Sequence, residues 1–147
     1  MNENEAGQLA KAVAEQCLAG RVRRLNRIIT GLYDRALQPL GLKINQANIL
    51  VMLSLTGGAT ASDIAKVLVM EKSTVSRNLE RMRKKGWIEV ADKEAGLLQA
   101  VTVTPPGRKL LAAAHNAWET AQQQATELLG PEGVAAVMKI HENMRTK

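Results

Sequence analysis

Just past Gly86 the apolar residues stop recurring at helical intervals and begin to alternate, and this switch limits the available folds more than any other feature. Before it lie three short helical stretches joined by brief turns. Asn45 is the expected N-cap of an apolar helix from Gln46 to Leu55, stopped by Gly57-Gly58. Thr60-Ala61-Ser62-Asp63 reads as a capping box opening a helix through about Leu68. Val69-Met70-Glu71-Lys72 forms a short turn, and a third helix runs from Ser73 to Lys85 and closes on Gly86. After it, Trp87–Ala91 and Leu98–Val103 read as strands joined by a turn at Asp92-Lys93-Glu94-Ala95-Gly96. Three short helices followed directly by a hairpin spell a helix-turn-helix with a wing.

The flanks are helical. From Gln8 to Leu40, Leu18, Val22, Leu25, Ile29, Leu32 and Ala36 recur at three- and four-residue steps, and the helix should end before Pro39. Val13, Cys17 and Ile28 give it a second apolar flank, which in so long a helix points to packing against another subunit. Thr104 is an N-cap with Pro105 at the first helical position, and the helix it opens carries Leu110, Leu111, Ala114, Trp118, Ala121, Ala125 and Leu128 on one stripe. Gly130-Pro131-Glu132 breaks it, and a last amphipathic helix runs from Val134 to Met144. The expected fold is mainly α: a winged helix-turn-helix over 41–104 with a small β-hairpin wing, between helical dimerisation regions at 1–40 and 105–147.

Composition agrees with one helical domain. The chain has 147 residues, 46% hydrophobic, yet only 2% aromatic with no Phe, so the core must be built from Ala, Leu, Val, Ile and Met. Its formal charge of +6 suits a polyanionic partner, nucleic acid before anionic membrane, or serves solubility alone. One cysteine cannot form an internal disulfide, and the start Met1-Asn2-Glu3-Asn4-Glu5 has no apolar leader core. No window approaches about 18 uninterrupted apolar residues, so no membrane span is expected and the cytoplasm is the expected compartment.

Function is written most clearly in the third helix. At about 100° per residue, Val75, Leu79 and Met82 share a narrow sector that must face the core. Arg77 and Lys84 then fall opposite, with Ser73, Glu80 and Arg81 beside them and Thr74 and Ser76 on the flanks. Arginine reads guanine O6 and N7 with two hydrogen bonds, and hydroxyls reach phosphates or base edges, so this face suits a major groove. The alternative is a solvated basic face, which the short capped helix before it and the hairpin behind it disfavour.

Three stretches then resemble the MarR family: "LYDRALQPLGLKINQANIL" from Leu32 to Leu50, "SDIAKVLVMEKSTVSRNLERMRKKGWIE" from Ser62 to Glu89, and "VTVTPPGRKLL" from Val101 to Leu111. They occur in the family's order and spacing across nearly the whole chain. The resemblance implies a homodimer interlocked through the first and last two helices, a winged helix on each subunit, and ligand-responsive repression at a pseudo-palindromic double-stranded DNA operator. It implies DNA contacts at Ser73, Thr74, Ser76, Arg77 and Arg81, with Asn78 also in the motif but near the core boundary. The wing departs from the family, whose basic run before the second wing strand is replaced by Ala95, Gly96 and Leu97. Lys93, between Asp92 and Glu94, is the one basic residue left in that turn, which weakens the case for a minor-groove anchor.

The remaining candidates are open. Arg21, Arg23, Arg24 and Arg27 make either a solvated, salt-bridged face, or an anion pocket or flanking phosphate contact. Cys17 is either a small buried hydrophobe or a redox sensor, as in MarR-type repressors that sense hydroperoxides through a nearby cysteine, from whose register it is shifted by about two residues. A small-molecule effector is expected in the cleft between the first helix and the winged helix. His115 and His141 lack metal-ligand spacing, and there is no Ser-His-Asp order, P-loop or Gly-rich dinucleotide motif, so no catalytic residue, metal or cofactor is expected. A non-specific architectural binder shares the basic charge. An enzyme using Cys17 lacks a general base, and a protein-interaction module needs no basic third helix.

Overall fold

The computed structural model describes residues 3–91 and 99–145. Its elements are α1 (Glu3–Gln16), α2 (Leu18–Leu37), a 3-10 turn (Gln38–Leu40), α3 (Ile44–Thr56), α4 (Ala61–Val67), α5 (Lys72–Lys84), β1 (Ile88–Val90), β2 (Val101–Val103), α6 (Pro105–Ala113) and α7 (His115–Arg145). The fold is a mainly helical winged helix-turn-helix, as expected. The best-buried side chains, among them Leu37, Leu42, Ile49, Leu50, Leu53, Ile64, Val75 and Met82, lie where α3, α4 and α5 converge beneath the end of α2. Burying each such side chain contributes roughly 1.5–3 kcal/mol.

Local signals set several elements. Thr60 Oγ1 accepts from the Asp63 N–H at 3.1 Å, and Asp63 Oδ2 accepts from the Thr60 hydroxyl at 2.7 Å and its N–H at 3.2 Å, completing the capping box of α4. The Thr60 hydroxyl and N–H, helped by Lys66, hold the Asp63 carboxyl below the usual carboxylate range. Thr104 caps α6 by accepting from the Gly107 N–H at 3.2 Å, with Pro105 at the first position. β1 and β2 pair antiparallel in the register Ile88–Val103, Glu89–Thr102 and Val90–Val101, and Ala59 adds a bridge to Val101. Both strands are shorter than the alternation suggests; Leu98 and the turn at Asp92–Gly96 lie outside the described residues.

Elsewhere the expectations need correction. The single helix from Gln8 to Leu40 is two, because Cys17 is extended with φ −65° and ψ 113°. The carbonyls freed at the end of α1 find a donor in Arg21, whose guanidinium bonds Cys17 O at 3.2 Å and also Glu15 O. Asn45 does not cap α3: the cap position is Lys43, and Asp34 Oδ1, from α2, accepts from the Ile44 N–H at 2.8 Å. Gln46 Oε1 accepts from the Lys43 N–H at 3.2 Å, closing that turn. The long C-terminal helix is interrupted at Ala114, which is 4% exposed and belongs to the core, before the expected break at Gly130, with φ 67° and ψ 168°.

The end of α4 carries strain. The Met70 N–H bonds Ala65 O at 2.9 Å in the Schellman pattern, which needs a left-handed residue at position 69. That residue is Val69, with φ 51° and 84% exposure, where a β-branched side chain costs roughly 1–2 kcal/mol. Asparagine tolerates this conformation, so Val69→Asn should raise unfolding stability by about 1 kcal/mol, measured by urea titration. An unchanged or lower midpoint would show that the Val69 side chain makes compensating contacts.

Gly107 meets the opposite constraint. A Cβ there would lie 2.1 Å from Trp87 O, so α6 can approach the strand start only with glycine at this position. Despite alanine's better helix propensity, Gly107→Ala should destabilise the protein by about 1–3 kcal/mol in the same titration.

Candidate nucleic-acid interface

The solvent face of α5 is assembled by burying its other face. Val75, Leu79 and Met82 are 1%, 8% and 0% exposed, so the helix has one rotation available. Ser73, Ser76, Arg77, Arg81 and Lys84 are consequently exposed together, while Thr74 and Asn78 are half-buried at its edges. The N-cap residue Glu71 makes no side-chain cap bond, so the first-turn N–H groups add to the positive character of that end.

The candidates on this face are not equivalent. Arg77 Nη2 lies 3.4 Å from Thr74 Oγ1, a contact that draws the guanidinium toward the helix N-terminus. Among the described residues neither Arg77 nor Arg81 has a carboxylate partner, so both present full charge. Lys84 lies 3.5 Å from Glu80, which Arg83 also bonds at 3.0 and 3.1 Å. Hydrogen bonding by Arg83, with the charge of Lys84, holds the Glu80 carboxyl below its ordinary range. Such exposed pairs contribute little energy, but they neutralise part of Lys84's charge. Asn78 Nδ2 donates to Thr74 O at 3.0 Å, so its amide already serves its own helix. Lys93 lies outside the described residues.

Two nearby surfaces extend the site beyond what periodicity shows. Ser62 and Lys66 of α4 share a shallow concavity of about 740 Å³ with Glu71 and with Lys72 and Ser73 of α5, which places hydroxyls, ammonium groups and one carboxylate beside the start of the basic helix. On the other side, a groove of about 190 Å³ runs between Ser76, Glu80 and Arg83 of α5 and Gln99 and Val101 at the wing base. The signal for the first was available, since a helix-turn-helix sets the starts of its last two helices side by side. Lys85, though basic, is turned away: its Nζ bonds Gly41 O at 2.9 Å and stands 4.5 Å from the centroid of Trp87.

Away from α5, an apolar cleft of about 710 Å³ opens between the end of α2, α3, α6 and α7, walled by Leu37, Ala47, Val51, Leu111 and Trp118, with Arg108 and His115 at its rim. Tyr33, half-buried on α2, donates its hydroxyl to Gln122 of α7, and burial raises its pKa above the ordinary phenol value. Cys17 shares a concavity of about 390 Å³ with Val13, Gly20, Arg21 and Arg24. Arg21 nevertheless gives its hydrogen bonds to backbone carbonyls rather than to the thiol. His115 lies 3.4 Å from Glu119 and His141 is exposed; among the described residues no group of three His, Cys, Asp or Glu could hold a metal ion. No helix among them is long and apolar enough to cross a membrane.

Residues 40–96 match the model of the MarR family. The HTH-type transcriptional regulator YwoH of Bacillus subtilis (strain 168) is 27% identical over 92 residues, which cover 63% of this chain and 67% of that protein. The crystal structure of the M. tuberculosis transcriptional regulator MosR is 30% identical with a TM-score of 0.74, covering 90% of this chain and 98% of that one. A mutant MarR from E. coli complexed with operator DNA superimposes with a TM-score of 0.77 at 21% identity, over 90% of this chain and 96% of that one, a likeness of fold alone. With the exposed basic face of α5 set between a capped helix and a β-hairpin, these likenesses lead to one conclusion: the chain belongs to the MarR family of winged-helix, DNA-binding transcriptional regulators.

Proposed function

We propose that this chain is a homodimeric repressor acting in the cytoplasm on a pseudo-palindromic operator, released by a small molecule bound in the apolar cleft. The observation that carries the reading is the α5 surface, where Arg77 and Arg81 stand exposed and unpaired among the described residues beside Ser73, Thr74 and Ser76. In the major groove Arg77 reads a base, the hydroxyls and Arg81 contact phosphate or base edges, and Lys84 and Asn78 play lesser parts because Glu80 and Thr74 already engage them. Lys93 supplies the wing's cation. The related MosR has also been crystallised in complex with DNA, at 29% identity to this chain.

The helical arms 1–40 and 105–147 form the dimerisation unit and 41–104 the DNA-binding unit in this scheme. Leu18, Val22 and Leu128 are 76%, 63% and 55% exposed in the single chain, an apolar surface that a second subunit would cover. A ligand in the cleft would touch α2, α3, α6 and α7 together. It could thereby change the separation of the two recognition helices, so that they no longer match successive major grooves. Its apolar walls with Arg108 and His115 at the rim suit an apolar molecule bearing an anionic group.

Selection of duplexes from a random pool, followed by titration of the selected site, tests the DNA reading. Arg77→Ala should weaken binding by about 1–3 kcal/mol and relax preference at one base pair per half-site. Unchanged affinity in a folded variant would remove Arg77 from base readout. For assembly, sedimentation should give twice the 16.0 kDa chain mass at micromolar concentration, and Val22→Glu should shift it toward monomer. A wild-type monomer would contradict the dimer.

A further inference from the structure

α2 carries a second charged surface, separate from the DNA interface and from the apolar cleft. Gly20, Arg23, Arg24, Arg27, Ile28 and Arg35 line an open concavity of about 660 Å³ on this helix. At about 100° per residue, Gly20, Arg24, Arg27, Gly31 and Arg35 fall within a sector of about 80°, on the side away from Leu18, Val22, Leu25 and Ile29. Among the described residues none of these arginines has a carboxylate within ion-pairing distance. The one acid of α2, Asp34, accepts from the Ile44 N–H. Like charges three and four residues apart on a helix repel, so this row is unfavourable until a counter-charge arrives.

The glycines give the row its shape. Each glycine inside a helix costs roughly 0.5–1 kcal/mol relative to alanine, and two of them fall within the arginine sector. A Cβ at Gly20 would meet nothing within 4 Å, and one at Gly31 would come 3.4 Å from Arg35 Nη1. Arg35 thus folds its guanidinium back over the bare backbone at Gly31, toward Arg27. The result is a concavity left open at Gly20 and lined by guanidinium forks, which bind phosphate or carboxylate oxygens in pairs. From Arg24 to Arg35 the row runs about 16 Å along the axis at 1.5 Å per residue, so it matches an extended chain of charge better than a single anionic group.

We propose that this face of α2 is a binding site for a small molecule carrying linked phosphate groups, bound independently of operator DNA. Calorimetric titration of the full chain with tripolyphosphate and with orthophosphate, at fixed ionic strength near 150 mM, tests it. Tripolyphosphate should bind at least tenfold more tightly than orthophosphate. The pair Arg24→Gln with Arg27→Gln should weaken it at least tenfold, and so should Gly31→Leu, whose side chain would displace the Arg35 guanidinium from the concavity without changing charge. The pair Arg77→Ala with Arg81→Ala should leave it unchanged. The proposal is overturned if no tripolyphosphate binding is detected, if the α5 pair abolishes it, or if Gly31→Leu retains full affinity, which would reduce the effect to bulk charge. It is equally overturned if the α2 pair loosens the assembly seen by sedimentation while tripolyphosphate has no affinity for the wild type. The arginines would then face carboxylates of a second copy.

Discussion

The winged helix depends on one crowded junction, where the end of the recognition helix, the start of the wing and the start of α6 meet over the Trp87 carbonyl. That oxygen accepts from the Thr104 N–H at 3.1 Å, while the Thr104 hydroxyl donates to Gly86 O and accepts from the Gly107 N–H. Gly86, with φ 73°, turns the chain out of α5 into the left-handed region that L side chains disfavour. Two glycines and a threonine thereby fix how the hairpin leaves α5 and how the C-terminal arm returns to the core. With Val75, Leu79 and Met82 buried as well, the direction of Arg77 is set by packing on one side of the helix and by this junction at its end. The exposed basic face of α5 is the remainder after those constraints are met.

What could be read from the chain beforehand follows the range of each interaction. The Thr60–Asp63 box and the Thr104 cap close within three residues, and the sector of Val75, Leu79 and Met82 is a property of one helix, so all were legible. The cap of α3 was not, because its acceptor is Asp34, ten residues away on α2, whereas Asn45 offered a local signal that the fold does not use. The interruption at Ala114 contains neither glycine nor proline, and that residue is buried against the core. The break at Cys17 escaped for a similar reason: the apolar recurrence continues across it, and Arg21 satisfies carbonyls that a pattern cannot count.

The same distinction sorts the candidate contacts on α5. A helical wheel ranks Arg77 and Lys84 alike, opposite the core sector. Side-chain partners separate them, since Lys84 shares Glu80 with Arg83 while Arg77 and Arg81 keep their charge. Asn78 fits the family motif by position, yet its amide is turned back to Thr74 O. Position along a helix tells which groups reach solvent; only the neighbours tell which of those groups are still uncommitted.

The tether made by Lys85 has a mechanical consequence. Its ammonium bonds Gly41 O at 2.9 Å and rests on the Trp87 ring, joining the C-terminal end of the recognition helix to the connection between α2 and α3. Three residues further along that connection, Asp34 holds the Ile44 N–H, and Leu37 and Ile44 both line the apolar cleft. The stretch from Gly41 to Ile44 therefore joins the cleft at one end to α5 at the other. Because a close-packed interior yields little to compression, displacing α2 at the cleft either drags the far end of α5 with it or breaks the Lys85 tether. If the tether holds, the C-terminal end of α5 moves with α2; if it breaks, that end is held by the Gly86 turn and the buried face of the helix alone.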